Sequence, residues 1–246
     1  MKIIFNADDF GYSKGVNIGI LEAYSYGLVR STTMIANMPG FNHAVELGKL
    51  SPDLKVGVHL VLTAGASLGG QYKTITDEAG YFINQKELSQ RAYASEIDLS
   101  EVEKEYTLQI NKILATGLSI THFDGHHHSQ CLPGIIDVFL GLAKKYGVAV
   151  RDYDSALATV DLIDAPAIDF TFYGETATIN QLEHILSTCT ENTEIMCHPA
   201  YLDNFLYNNS TYNIHRMQEL EILTSKEAKM LVAKYGHSIA SFANLY

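Results

Sequence analysis

Only three of the 246 residues are cysteines, Cys131, Cys189 and Cys197. They are odd in number, widely spaced and form no CxxC pair. That excludes a disulfide scaffold and a cysteine-built zinc site, and leaves reduced thiols as their simplest role. Positive charge is also scarce, with 17 Lys and Arg against 28 Asp and Glu and a formal net charge of −11. A nucleic-acid or anionic-membrane partner needs a basic footprint, so no nucleic acid and no membrane is expected, although a locally basic pocket for one phosphate remains compatible. No apolar run approaches the ~20 residues of a membrane span. The apolar stretch after Lys2 is too short for a signal-peptide core, which points to a cytoplasmic protein. No GxGxxG follows the first apolar run, so a dinucleotide fold has no support. Repeats, low-complexity tracts and linkers are absent. With 47% hydrophobic and 18% charged residues, residues 1–246 read as one domain large enough to bury a substantial core.

What the sequence does contain is an alternation of strand and helix patterns. The short, β-branched and aromatic run Ile3-Ile4-Phe5 reads as a buried strand. Ser13 is a candidate N-cap for a helix carrying Val16, Ile20, Leu21 and Tyr24 and stopped by Gly27. Further strands are predicted at 31–37, 55–62, 119–124, 148–151, 167–172, 194–197 and 238–242. Between them lie helices at about 42–50 and 179–188, and one opened by Pro133 and stopped by Gly147. Two more begin at capping boxes, Ser100 with Glu103 and Thr224 with Glu227, the second ending at Gly236. A stretch rich in Gly, Thr, Asn and Gln, about 63–91, shows no period and reads as a loop-rich excursion. The Tyr- and Asn-rich segment after Ala200 also reads as loop. Alternation of this kind predicts parallel strands with right-handed crossovers. Polar residues recur at five strand ends (Asp8 and Asp9, His59, His126, Arg151, His198), which favours a barrel rim over the single switch point of an open sheet.

Those strand ends carry the candidate chemistry. Asp8 and Asp9 sit in Asn6-Ala7-Asp8-Asp9-Phe10-Gly11. Neighbours on extended backbone point to opposite faces, so the turn must splay the pair, unless they serve only to cap the next helix. His59 lies within an apolar run and, if buried, must be paired or ligated. In His126-His127-His128, extended backbone would aim His126 and His128 into one site. His198 precedes Pro199, which fixes the backbone locally, and suits a ligand, an acid–base group or a stacking residue. A carboxylate and two histidines from separate strand ends make a divalent-metal site with open positions, the pattern of a catalytic rather than a structural site. A second carboxylate is then available as general base and a far-side histidine as general acid, which suits metal-assisted hydrolysis of an amide or ester.

A series of short motifs in order resembles the YdjC-like carbohydrate deacetylases, the family of chitooligosaccharide (chitin disaccharide) deacetylase. They are Asn6 through Gly11, Ser31-Thr32-Thr33, Gly57-Val58-His59 with Leu62-Thr63, Thr121 through His128, and Phe172-Tyr173-Gly174-Glu175. Met196-Cys197-His198-Pro199-Ala200, Arg216-Met217-Gln218-Glu219-Leu220 and Leu223-Thr224-Ser225 complete the series. The resemblance implies an α/β fold, a deformed (β/α) barrel of about seven or eight parallel strands related to the polysaccharide deacetylases. It implies removal of acetate from an N-acetylated sugar, a chitooligosaccharide or a relative with or without a 6-phosphate. Carried over by position, Asp9, His59 and His126 hold one divalent metal ion, Asp8 is the base and His198 the candidate acid. Gly125 departs from the Ser of the chitooligosaccharide enzyme. Arg151 orients Asp8, binds a substrate anion or forms a structural ion pair; with His128 and Tyr173 it is assigned to substrate binding. The resemblance points to Mg2+, whereas two imidazoles with one carboxylate suit Zn2+ or another transition ion better. The expected partner is a small N-acetylated saccharide, and a homodimer is expected from its frequency among oligomers. Competing readings are an amidohydrolase acting on a non-sugar amide, a non-catalytic sugar-binding protein on the same fold, and a sugar isomerase. The lack of a Lys at any strand end weighs against the last.

Overall fold

The structure, a computed structural model, describes residues 1–151 and 166–245. Its spine is β1 (Lys2–Phe10), buried at every position from Ile3 onward. One edge of β1 pairs in parallel with β7 (Thr193–Cys197), Ile3 opposite Thr193 and Ala7 opposite Cys197. The other edge is shared, because β8 (Ser238–Ala240) takes Lys2 to Ile4 and β2 (Ser31–Met34) takes Asn6 to Phe10. Beyond β2 come β3 (Lys55–Leu60), β4 (Ile120–Gly125) and β5 (Ala149–Val150), and beyond β7 comes β6 (Ala167–Asp169). The path β5-β4-β3-β2-β1-β7-β6 is parallel throughout and curls into a half-barrel with helices packed against it. Near-continuous burial along β1, β2, β3 and β7 is what a parallel sheet covered on both faces requires. The expected deformed barrel of about seven or eight parallel strands is found.

The helices are α1 (Lys14–Tyr26), α2 (Phe41–Leu50), α3 (Gln85–Tyr93), α4 (Leu99–Leu114), α5 (Ile135–Tyr146), α6 (Ile179–Thr188), α7 (Asn204–Asn209), α8 (Ile214–Thr224) and α9 (Lys226–Lys234). None among the described residues is long and apolar enough to cross a membrane. Ser13 caps α1 as predicted, its hydroxyl accepting from the Val16 N–H at 3.2 Å, and Gly147 ends α5 in the left-handed conformation. Both capping boxes are displaced. Asp98 rather than Ser100 caps α4, and Ser225 rather than Thr224 caps α9, because the Thr224 hydroxyl donates back to Leu220 O at 2.8 Å within α8.

Three helices fall where loop was predicted, and each lacks an apolar stripe. Helix α3, inside the excursion, buries only Leu88 and Ala92. Helix α7 buries Leu206. The inner face of α8 is Arg216, Glu219, Leu220 and Leu223, so half of what it buries is ionic and no hydrophobic period can reveal it. The rest of the excursion is a fixed wall rather than a free loop. Bridges Ala66–Tyr81 and Thr76–Phe82 tie it to itself. From α4, Glu105 accepts from Leu68 N, Gly69 N and the Tyr72 hydroxyl, and Glu101 from Lys73 N, Thr74 N and the Thr74 hydroxyl.

Helix α1 lies directly against the segment that follows β7. A Cβ on Gly19 would sit 2.5 Å from Ala200 Cα, backbone against backbone, and Ala200 is two residues from His198. Gly19→Ala therefore cannot be relieved by a rotamer change. It should cost about 1–3 kcal/mol and lower Tm by several degrees in a thermal melt; an unchanged Tm would show that the two segments can separate freely.

Candidate active site

The polar strand ends other than Arg151 open on one side of the sheet, into a pocket of about 1070 Å³ lined by Asp8, Asp9, His59, His126, His127, His128, Tyr173, His198, Tyr212 and Arg216 among others. At its floor β1 does not simply end. Its pairing with β2 slips between Ala7 and Phe10, and Asp9 adopts φ 72°, a conformation that Asp tolerates better than most residues. This bulge, not a glycine turn, splays the two carboxylates.

The two oxygens of the Asp9 side chain face different partners. Oδ2 accepts from Arg216 Nη2 at 2.6 Å. Oδ1 lies 3.0 Å from His126 Nδ1 and 3.4 Å from His59 Nε2, yet it is buried with no hydrogen-bond partner. For ligands roughly 2.0–2.2 Å from an ion, neighbouring donors at tetrahedral or octahedral angles are about 3.0–3.5 Å apart. The two distances match such edges, and the orphaned Oδ1 is a donor that could serve an ion there. Asp9, His59 and His126 form a buried group whose ligand atoms all lie within 4.8 Å of one another. His59 is oriented from behind, its Nδ1 2.7 Å from Asp124 Oδ1, while Asp124 Oδ2 accepts from the Thr33 hydroxyl at 2.9 Å. A carboxylate behind a ligating imidazole fixes its tautomer and raises its basicity. Burial alone would lower the His59 pKa, but Asp124, Asp9 and Asp8 together push it up to about 10. A second group, Asp8, His59 and Asp124, already holds a cation, because Arg151 Nη2 is 2.5 Å from Asp8 and 3.1 Å from Asp124.

Asp8 takes both Arg151 nitrogens, Nη1 on Oδ2 at 2.7 Å and Nη2 on Oδ1 at 2.5 Å, with Asn6 Nδ2 on Oδ1 at 2.9 Å. Burial acts to raise its pKa, but the guanidinium outweighs it and holds the carboxyl well below the usual range. Arg151 also meets Glu194 through Nε at 2.8 Å, and burial lifts the Glu194 pKa to about 7 despite that contact. Arg151 is thus placed to orient Asp8 and is not among the pocket-lining residues. His198 stands on the other side, with Nε2 3.8 Å from Asp8 Oδ2 and Nδ1 4.0 Å from Glu219 Oε1. Burial, with help from Arg216 and Arg151 and against the pull of Asp8, brings His198 down to about 3, so its imidazole is neutral at rest. Glu219 accepts the His198 backbone N–H and the Tyr212 hydroxyl; burial raises its own pKa to about 8. Tyr173 stacks on Tyr212 with centroids 4.1 Å apart and rings 9° from parallel, and both rings present an edge to His198.

The triple histidine is not extended. Residues 126–131 form a 3-10 turn in which His127 and His128 have φ 54° and 56°, so the predicted alternation of faces fails. All three nevertheless line the pocket, packed as a cluster. The His127 ring lies tilted against His126 with centroids 3.9 Å apart, and its Nδ1 is 3.0 Å from the Thr63 hydroxyl; His128 and Phe170 meet edge to face. Asp124, Glu194, Arg216 and Glu219 were given no role from the sequence, although all but Glu194 fall inside the motifs that carry the family resemblance. The usable signal was ionic residues three apart in Arg216-Met217-Gln218-Glu219, which share a helix face, and an acid, Asp124, two residues before the first histidine of the triple.

Comparison with known proteins places the chain in a family. Residues 2–234 match the family model described as YdjC-like protein. Carbohydrate deacetylase 1 of Listeria innocua is 41% identical over all of both chains, and the carbohydrate deacetylase of Brevibacillus brevis 40% identical, also over all of both. An Enterococcus faecalis crystal structure, described as a cellobiose-phosphate cleavage protein, superposes with TM-score 0.88 at 32% identity, covering 99% of this chain and 98% of that one. A family 4 carbohydrate esterase from Streptomyces lividans shares the fold alone, with TM-score 0.50 at 11% identity over 97% and 91% of the two chains. The fold shared with that esterase is the parallel half-barrel. Within that fold the chain belongs to the YdjC-like family of carbohydrate deacetylases.

An ion entering between Asp9, His59 and His126 must displace the proton that Asp124 helps His59 retain, so affinity should rise with pH toward about 10. Calorimetric titration of the metal-free protein with Zn2+ at pH 7, in buffers of differing ionisation enthalpy, should report about one proton released per ion. Uptake without proton release, or affinity independent of pH, would contradict the assignment.

Proposed function

We propose that the chain is a metal-dependent hydrolase that removes acetate from an N-acetylated sugar, a chitooligosaccharide or a relative, and that Asp9, His59 and His126 are its metal ligands. The observation that supports this most is the unpartnered Asp9 Oδ1 set at coordination-edge distances from two imidazoles, with Asp8 and His198 beside it. Two imidazoles and one carboxylate suit Zn2+ or another transition ion, while the family resemblance favours Mg2+. A divalent ion there supplies Lewis acidity, which acidifies water and polarises the acetyl carbonyl.

The protein's own groups handle the protons. Asp8 is the base. Held ionised by Arg151, it is kept ready to accept a proton from an attacking water. His198 is the acid. Neutral at rest, it takes up its proton during the reaction; Asp8 Oδ2, 3.8 Å from His198 Nε2, is placed to hand over the proton removed from water after a small closing movement. His198 then delivers it to the departing nitrogen, and a free amine and acetate leave. The stacked Tyr173 and Tyr212, with His128 in the same pocket, are the surfaces offered to sugar rings. Relatives called carbohydrate deacetylases support a sugar substrate, and the Enterococcus faecalis protein's description suggests including phosphorylated disaccharides. The same reading makes the enzyme one domain, cytoplasmic and homodimeric.

Acetate release should be screened over N-acetylated mono- and disaccharides, with and without a 6-phosphate, alongside simple amides. Release from a sugar and not from the simple amides is expected; the reverse would favour a general amidohydrolase. Asp8→Asn should keep its metal and lose turnover about 10²–10⁴-fold, and His198→Ala should behave similarly. Retained turnover in Asp8→Asn would remove Asp8 as base.

A further inference from the structure

The face of Asp9 turned away from the imidazoles is occupied by a buried arginine from α8. An isolated arginine–carboxylate pair favours a two-point fork, one nitrogen to each oxygen. Arg216 forgoes it. Nη2 takes Asp9 Oδ2 at 2.6 Å, while Nη1 is buried without a partner. A buried donor left unpaired is costly, so something holds the two groups out of the fork. On the arginine, Nε donates to Tyr212 O at 2.8 Å, the guanidinium lies over the Tyr212 ring at 5.3 Å, and the backbone carbonyl accepts from Ala200 N. On the carboxylate, the bulge with Asp9 at φ 72° aims Oδ1 at His59 and His126. Neither partner can turn to meet the other fully.

We propose that Arg216 is a positioning residue that restricts Asp9 to a single-oxygen metal ligand. By capping Oδ2 it leaves Oδ1 alone for the ion. The site therefore spends one coordination position on Asp9 rather than two, and keeps more positions open for water and substrate. Its charge also stands on the far side of the same carboxylate and weakens the hold on a divalent cation, so the ion is bound less tightly than Asp9 and two imidazoles alone would bind it. This inference rests on the metal assignment proposed above.

Co2+ is a suitable probe, because its visible absorption reports coordination number. Wild type, Arg216→Lys and Arg216→Gln should be titrated with Co2+, with His59→Ala as control and the thermal melt of each variant recorded. Arg216→Gln frees Oδ2 and removes the charge. It should bind Co2+ about tenfold more tightly with an altered visible spectrum. Arg216→Lys keeps the charge and one donor, and should match wild type in spectrum and, within about twofold, in affinity. A folded Arg216→Gln with unchanged or weaker affinity and an unchanged spectrum would overturn the proposal. If Arg216→Gln does not fold, a changed Arg216→Lys spectrum overturns it and a wild-type spectrum supports it. Equal Co2+ uptake by wild type and His59→Ala would instead overturn the metal assignment itself.

Discussion

Two carboxylates stand side by side at the end of a buried strand, and each is faced by a buried guanidinium. Arg151 meets Asp8 and Arg216 meets Asp9. A buried carboxylate stripped of its partner costs several kcal/mol, so β1 can carry Asp8 and Asp9 through its last turn only if these two cations are delivered. Much of the topology serves that delivery. Strand β5, two residues long, sets down Arg151 immediately after its end. Helix α8 lies against α1 and brings Arg216 across to the other carboxylate.

The two ion pairs make the carboxylates chemically different although they are neighbours. Arg151 grips both oxygens of Asp8, joined by Asn6, and keeps the group ionised within reach of His198. Arg216 grips one oxygen of Asp9 and leaves the other facing His59 and His126. The bulge at Asp9 makes the division possible, because an unbroken strand would send one of the two side chains away from the pocket. Glu219, three residues after Arg216 on the same helix, holds the backbone of His198. One turn of α8 thus touches both the proposed metal-ligating carboxylate and the proposed acid.

The strands with purely apolar runs, the helices with apolar stripes and the polar strand ends were readable in order, because burial leaves a periodic trace in composition. Asp8, Asp9, His59, His126 and His198 stood out as polar groups in apolar surroundings, and the structure brings all five to one pocket. Helix α8 was not readable. Its buried face is half ionic, and a charged residue buried against another charge looks like a surface residue in sequence. Glu194, inside β7, was hidden for the same reason: its partner Arg151 is 43 residues away. The conformation of His127 and His128 was missed because left-handed backbone at non-glycine residues is uncommon and leaves only a weak trace in composition.

The central claim is that Asp9, His59 and His126 converge on a metal ion at the strand ends. Anomalous diffraction from a crystal of the protein grown with Zn2+ or Co2+, recorded on both sides of the metal's absorption edge, tests it most directly. The account predicts one strong peak within bonding distance of Asp9 Oδ1, His59 Nε2 and His126 Nδ1, with Asp9 Oδ2 still on Arg216. A fully loaded crystal with no peak there, or with its peak at other residues, would contradict it.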